Sequence, residues 1–255
     1  MVSVYQVYQS LKDLANKEQK GFITPQDFNN FASLAQMNIY NEMFSELVDA
    51  RKISRQNFDP GRDKSVRKQK LEDLSFFIKR KSFTLSIYGE ETLYIDKPSD
   101  LSKIISALAD SVLDSEDSDV VNYVPCQIVY DPEKMNYLKS SNLSAPSLNF
   151  PVMLVSGNKL EVFPDTVEQV ELTYYGKPTS FDSSGVLTDD PPTYAFVASA
   201  FGGQDVEFFN SNNSRDFHLP PHYLTEVVME MAKLIGVRLR DPNVTSFAAQ
   251  EEASE

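Results

Sequence analysis

The sequence predicts an α+β protein with an N-terminal helical hairpin and helix, a central antiparallel β-rich domain of sandwich type, and a closing C-terminal helix. Three observations predict it. Apolar residues recur at three- and four-residue spacing over the N-terminal third, and short alternating or β-branched runs broken by proline and glycine follow. A helical stripe then returns near residue 224. Strands that succeed one another without repeated helical crossovers favour an antiparallel sheet or sandwich over a doubly wound parallel sheet. The expected division is a helical region 1–81, a β-rich domain 82–210, a C-terminal helix 211–242 packing on the helical region, and a flexible acidic tail 243–255.

In the first helix Val4, Val7, Tyr8, Leu11, Leu14 and Ala15 form the apolar face, with Ser3 placed to cap it and Gly21 to end it. The second start is stronger. Thr24 is a capping residue, Pro25 sits at the first helical position where its missing N–H costs nothing, and Asp27 falls at the capping-box position. Phe28, Phe31, Ala32, Ala35, Ile39, Met43, Phe44 and Leu47 then predict a helix over 25–50. Neither helix buries such a face alone, so the two are expected to form a hairpin that contacts something further. Asp59-Pro60-Gly61 reads as a turn, and 64–77 as a third helix with Leu71, Leu74 and Phe77 on one side.

Strands are expected at 83–88 and 91–95, around Gly89. The spacing of Leu101, Ile104, Ile105, Leu108, Ala109 and Val112 predicts a short helix over 100–113. An acidic loop, 114–119, precedes strands at 120–129, 152–155, 159–163 and 169–175. Residues 182–192 read as a loop between these and two further strands, 193–198 and 204–208. The last helix starts near Pro221 after an extended His218–His222 approach. Leu224, Val227, Val228, Met231, Ala232 and Ile235 form its stripe, Gly236 is the expected C-cap, and Asp241-Pro242 stops it.

Composition bounds the function. The chain has 255 residues, 41% hydrophobic and 24% charged, which is a folding composition. No window reaches the length of apolar sequence a membrane-spanning helix needs, and the first residues predict no secretory leader. One cysteine, Cys126, excludes an intrachain disulfide framework and any multi-cysteine metal site. The net charge of −13 makes the chain a poor general binder of nucleic acid. That charge is uneven. Between Arg51 and Lys81 eleven bases stand among four acids, a local +7, which leaves −20 elsewhere. Arg51, Arg55, Arg62, Arg67, Lys68, Lys70, Lys79, Arg80 and Lys81 are therefore candidates for docking on an acidic neighbour, another copy included. A phosphate backbone or an ordinary solvated helical surface remain the other readings of the same bases.

Chemistry-bearing patterns are sparse. His218 and His222 have a metal spacing only on a shared helix face, and Pro220-Pro221 break that geometry. The Asp114–Asp119 run lacks the glycine at the sixth position that a calcium loop requires, since Asp119 stands there. Cys126 lies in an apolar run typical of a small buried filler. No nucleophile elbow or phosphate loop is present, so neither catalytic residue, metal nor cofactor is expected. Seventeen phenylalanines and twelve tyrosines exceed a minimal core, and Tyr174-Tyr175 and Phe208-Phe209 each place neighbouring rings on opposite faces of a strand. One ring of each pair is thus a candidate interface former.

Several segments carry a resemblance. Leu172 to Pro178 (LTYYGKP), Asn213 to Phe217 (NSRDF), Leu219 to Leu224 (LPPHYL) and the helix ending Ala232 to Pro242 (AKLIGVRLRDP) stand in order. Gly21 to Phe28 (GFITPQDF), followed by Gln36, Ile39 and Tyr40, and Val162 to Asp165 (VFPD) add to them. Together these patterns of turns and hydrophobics resemble the head-to-tail connector, or ring, proteins of short-tailed, crAss-like bacteriophages, over most of the chain. The resemblance implies a non-enzymatic virion protein, assembled in the host cytoplasm. It would form a homo-oligomeric ring, of twelve copies, between the portal protein and further tail or ring proteins. DNA would pass through its channel without sequence-specific binding, and no membrane would be involved. No catalytic residue carries over. The helical residues Phe28, Phe31, Ile39, Phe44, Leu47, Leu224, Val228, Met231 and Ile235 would pack within or between subunits. Competing readings are another tail or stopper component, a β-sandwich module that recognises a glycan or host surface, and a hydrolase with converging carboxylates.

Overall fold

Helix α1 (Val4–Lys17) is amphipathic as its spacing predicts, with Val4, Val7, Tyr8 and Leu11 buried. Its first free N–H, that of Val4, donates to the carboxylate of Asp216, a residue 212 positions away, at 2.8 Å. Helix α2 (Pro25–Gln56) starts where expected. Thr24 Oγ1 accepts from the Asp27 N–H at 3.1 Å and donates to the Asp27 carboxylate at 2.7 Å, which closes the first turn. Helix α3 (Arg62–Ser75) follows. The structure, a computed structural model, describes residues 1–17, 23–56, 62–88, 92–111, 122–201 and 204–238. The expected 59–61 turn, the 114–119 acidic loop and the 243–255 tail lie outside these.

The chain then builds a β-rich unit, Phe77–Lys177. Its strands are β1 (Ile78–Thr84), β2 (Ser86–Tyr88), β3 (Thr92–Asp96), β4 (Leu101–Ser111), β5 (Asn122–Pro125) and β6 (Gln127–Val129). After helix α4 (Pro132–Ser140) come β7 (Val152–Ser156), β8 (Lys159–Phe163) and β9 (Gln169–Gly176). One sheet has the order β1-β9-β4-β5 and the other β2-β3-β8-β7-β6. Residues of both, among them Ile95, Ala107, Met153, Leu160, Val162, Val170, Leu172 and Tyr174, share a single buried cluster. That is the expected sandwich, antiparallel except where β6 runs parallel to β7. The parallel pair requires a crossover, which α4 supplies. Asp131 caps α4 through the Glu133 N–H, with Pro132 in the first turn. This helix was not apparent from the sequence.

The helix expected over 100–113 is instead strand β4. Register shifts between Leu101 and Lys103 and between Ile104 and Ser106 against β9 break the two-residue alternation. A bulged strand scatters its inward residues at unequal spacing, and that spacing imitates a helical period. Partners on both sides, β9 and β5, hold the segment extended.

After the β-rich unit the chain returns through β10 (Ser180–Phe181), β11 (Leu187–Thr188), β12 (Phe196–Phe201), β13 (Gln204–Phe209) and β14 (Asp216–Phe217). A 3₁₀ turn, Pro221–Tyr223, leads into α5 (Leu224–Arg238). These segments form one unit with the N-terminal helices, Met1–Phe76 with Pro178–Glu255. The β-rich region therefore does not run on to residue 210: the unit drawn from 178 onward belongs with the helices, because β14 pairs with Val2 and α5 packs on α1 and α2. Residues 182–192 are not simply a loop, since β11 pairs with β10 and Asp182 accepts from the Ser184 and Val186 N–H groups. Gly236 is not a C-cap either. It lies inside α5, whose described residues continue to Arg238.

Candidate interaction surfaces

The helical residues singled out in the sequence fill the helical unit's own interior. Phe28, Ile39, Phe44, Leu47, Met231 and Ile235 are buried, and Phe31, Leu224 and Val228 are half-buried. Two amides on α2 hold the returning chain against this core. Asn29 donates to the Tyr194 carbonyl at 3.0 Å and accepts from its N–H at 2.7 Å. Gln36, buried, donates to the Thr179 carbonyl at 2.7 Å and accepts from the His218 N–H at 2.8 Å. The amides are seven residues apart, two helical turns, so they lie along one face. Their signal was present in the sequence as polar positions embedded in an apolar stripe.

The basic candidates separate between the two units. Arg51, Arg55, Arg62 and Arg67 lie on α2 and α3, where the side chains fall outside the described residues. Lys68 is exposed, while Lys70 reaches Glu46 at 2.7 Å and lies 5.9 Å from the Tyr223 ring centroid. Lys79, Arg80 and Lys81 are on β1 of the β-rich unit. There Lys79 pairs with Asp100 at 2.8 Å, Arg80 with Glu171 at 2.9 Å, and Lys81 comes within 4.0 Å of Asp100. Alternation on the strand sends Lys79 and Lys81 to the same carboxylate and Arg80 to the opposite side. Where the side chains are described, most of this charge thus meets acids of the same chain, and among the described residues Lys68 is an exposed base of α3 outside these pairs.

Two polar clusters sit beside these bases. In the helical unit Asp73 is buried, and its carboxylate accepts from Tyr223 Oη at 3.1 Å with His222 Nε2 at 3.2 Å. Burial, then the charge of Asp73, pushes the Tyr223 phenol above its ordinary range, so it remains a proton donor. A carboxylate gripped from both sides ties the 3₁₀ turn to α3. In the β-rich unit Asp100 accepts from Lys79 and from Tyr174 Oη at 3.1 Å. Burial of Asp100 raises its value, but Lys79, the Tyr174 hydrogen bond and Lys81 together hold it below the ordinary carboxylate range. Burial and the Asp100 charge push the Tyr174 phenol upward.

His218 and His222 turn to different partners. The His218 ring packs against Phe76 and Phe181, and its Nδ1 faces the Thr179 N–H at 3.4 Å. Among the described residues no group of His, Cys, Asp and Glu is arranged to hold a metal ion. Burial pushes the Cys126 thiol up to about 12, which keeps it protonated and unreactive near neutral pH. The paired aromatics divide as their alternation predicts. Tyr174 is buried and Tyr175 half-buried, while Phe208 is exposed and Phe209 packs on Tyr5 and Tyr194 at ring-centroid distances of 4.7 and 5.1 Å.

No model of a known protein family matches the sequence, and no curated protein matches it either.

Proposed function

We propose that this chain is a non-enzymatic structural protein of a short-tailed bacteriophage virion, forming a ring below the portal that joins capsid to tail around the DNA channel. The observation that carries the reading is exposed apolar surface on both units of a strongly acidic chain. Tyr130, Tyr137, Leu143 and Phe150 stand exposed on the β-rich unit, and Val197 and Phe208 on the helical unit. In the ring reading these side chains are the ones that neighbouring subunits cover on assembly. The connector-like patterns at 21–28, 172–178 and 213–242 support the same reading, and they include the α2 cap, the end of β9 and α5. In this reading the protein is part of the virion, its neighbours are the portal and further tail proteins, and its acidic wall lets DNA slide past. A neighbouring role as a stopper or another tail component shares the same supports.

A second reading is favoured by one observation. Exposed Tyr130, Tyr137 and Phe150 stand near four serines and three asparagines within 136–150, the mixture of rigid aromatics and adaptable polar groups found in recognition surfaces. It would make the β-rich unit a surface-binding module. Cryo-electron microscopy of the native particle, or of the protein reconstituted with portal, separates the two. A closed ring at the portal vertex is the expected result, with twelve copies. Absence from that vertex discards the ring.

A further inference from the structure

The chain enters the β-rich unit at Phe77 and leaves it at Lys177, and one turn, residues 97–100, takes hold of both ends. That turn carries the chain from β3 of one sheet to β4 of the other. Its Lys97 N–H donates to the Asn158 carbonyl between β7 and β8 at 2.9 Å, and the Leu101 N–H closes on the Pro98 carbonyl at 3.0 Å. Around Asp100 the entering and leaving strands converge. Lys79 of β1 donates to its carboxylate at 2.8 Å and Tyr174 Oη of β9 at 3.1 Å, with Lys81 adding a second positive charge at 4.0 Å. The Lys177 N–H donates to the Asp100 carbonyl at 2.7 Å, and Lys177 Nζ to the Ser99 carbonyl at 3.1 Å. The Gly176 N–H joins the two ends directly, on the Phe77 carbonyl at 2.8 Å.

In the sheet order β1-β9-β4, strand β9 lies between Lys79 and the turn that precedes β4. Neighbouring strands stand about 4.8 Å apart, so the lysine has to reach across β9. It does so over Gly176, where a Cβ would lie 3.1 Å from both Cδ and Cε of Lys79 and 3.5 Å from its Nζ. Gly176 has no positive φ, so room and not backbone conformation is what calls for glycine there. Tyr174, two residues earlier and thus on the same face, stands opposite Lys79 in the register and gives its hydroxyl to the same carboxylate. We infer that Tyr174, Gly176 and Lys177 form a latch on the Asp100 turn that holds the entrance and exit of the β-rich unit together, with Gly176 the positioning residue that lets Lys79 close it. This gives the 174–177 run (YYGK) a conformational role of its own. Local opening starts where strands end, and these are the ends from which the chain departs. The Lys79 and Asp100 side chains are 20% and 15% exposed, so solvent and salt screen their pair less than a surface one. The latch lies wholly within the β-rich unit and stands independently of the ring reading.

A double-mutant cycle on the full chain tests it, followed by amide hydrogen exchange and by carboxyl NMR. Gly176→Val puts a branched side chain in the lysine's path, and Lys79→Ala empties that path. In the wild-type background Gly176→Val is expected to speed exchange about tenfold or more over 77–80 and 174–177, as loss of a charge-assisted hydrogen bond would, and to leave α2 unchanged. In the Lys79→Ala background, where exchange at these ends is already fast, the same substitution is expected to change it by less than about twofold. Burial raises the Asp100 carboxyl, yet Lys79 and the Tyr174 hydrogen bond hold it below the ordinary carboxylate range. In Gly176→Val that carboxyl is expected to titrate at higher pH than in wild type. Equal effects of the valine in both backgrounds, or an unmoved Asp100 titration, overturn the positioning role of Gly176. Exchange that rises uniformly through the β-rich unit in Lys79→Ala, or does not rise at all, overturns the latch. Should the valine unfold the unit, the same cycle with Gly176→Ala decides by the same comparison, because its smaller intrusion still meets Lys79.

Discussion

Replacing Gln36 by leucine removes both hydrogen bonds through which this side chain holds the returning chain, at nearly constant volume. The His218 N–H at 2.8 Å and the Thr179 carbonyl at 2.7 Å lose their partner in a region where Gln36 itself is buried. Each unsatisfied buried group costs about 1–3 kcal/mol. Against that, leucine no longer buries a polar amide, which returns about 1–2 kcal/mol. The net expectation is a loss of about 2–3 kcal/mol, a large share of the roughly 5–15 kcal/mol that holds a typical protein folded. For a chain of this size that corresponds to a fall in Tm of roughly 5–10 °C. Urea unfolding followed by far-ultraviolet circular dichroism reads the loss, because the helices belong to the unit affected. Gln69→Leu on the exposed part of α3 is the control, expected within about 0.5 kcal/mol of wild type. If Gln36→Leu matches that control, the clasp does not hold the unit together and the reasoning fails.

Tyr223→Phe removes the phenol that donates to buried Asp73, and urea unfolding should report a loss of about 1–2 kcal/mol. Thr24→Ala should cost about 1 kcal/mol through the lost α2 cap, with Thr24→Ser retaining most of it in the same assay. The depressed value of Asp100 makes its contribution full above about pH 4 and lost as the pH falls through its folded value. Wild type should therefore lose stability between about pH 5 and pH 2 more steeply than Asp100→Asn, and equal slopes in the two titrations would contradict the pairing. Lys68→Glu with Arg67→Glu should impair particle assembly while leaving the isolated chain's Tm unchanged; intact assembly would remove the α3 bases from the docking surface.

The elements legible in the sequence are those whose cause is local. The Thr24-Pro25-Asp27 start of α2, the alternating strand Lys159–Phe163 and the stripe of α5 each carry their own signal within a few residues. What was not legible depends on partners distant in the chain. Strand β4 was disguised by bulges that exist only against β9. The cap on α1 comes from Asp216, and no window around Val4 contains it. The acids that occupy Lys70, Lys79 and Arg80 are Glu46, Asp100 and Glu171, so a run of bases in sequence overstated the free charge in space. The aromatic alternation at Phe208-Phe209 was readable because strand geometry alone separates the two rings. The crossover aromatics were not, because α4 itself was missed.

The first and last strands of the β-rich unit are neighbours: Ile78 lies opposite Tyr175, and the Gly176 N–H donates to the Phe77 carbonyl at 2.8 Å. For the folding of the helices, about a hundred residues are therefore spliced in with the closure geometry of a tight hairpin, and closure entropy grows only slowly with length in any case. Such a junction behaves as a socket. A lineage can shorten, enlarge or exchange the sandwich without redesigning the helical clasp, and the chemistry presented at the outer surface can drift while the scaffold stays fixed. Grafting a short turn between Phe76 and Pro178 would show what the helices do alone.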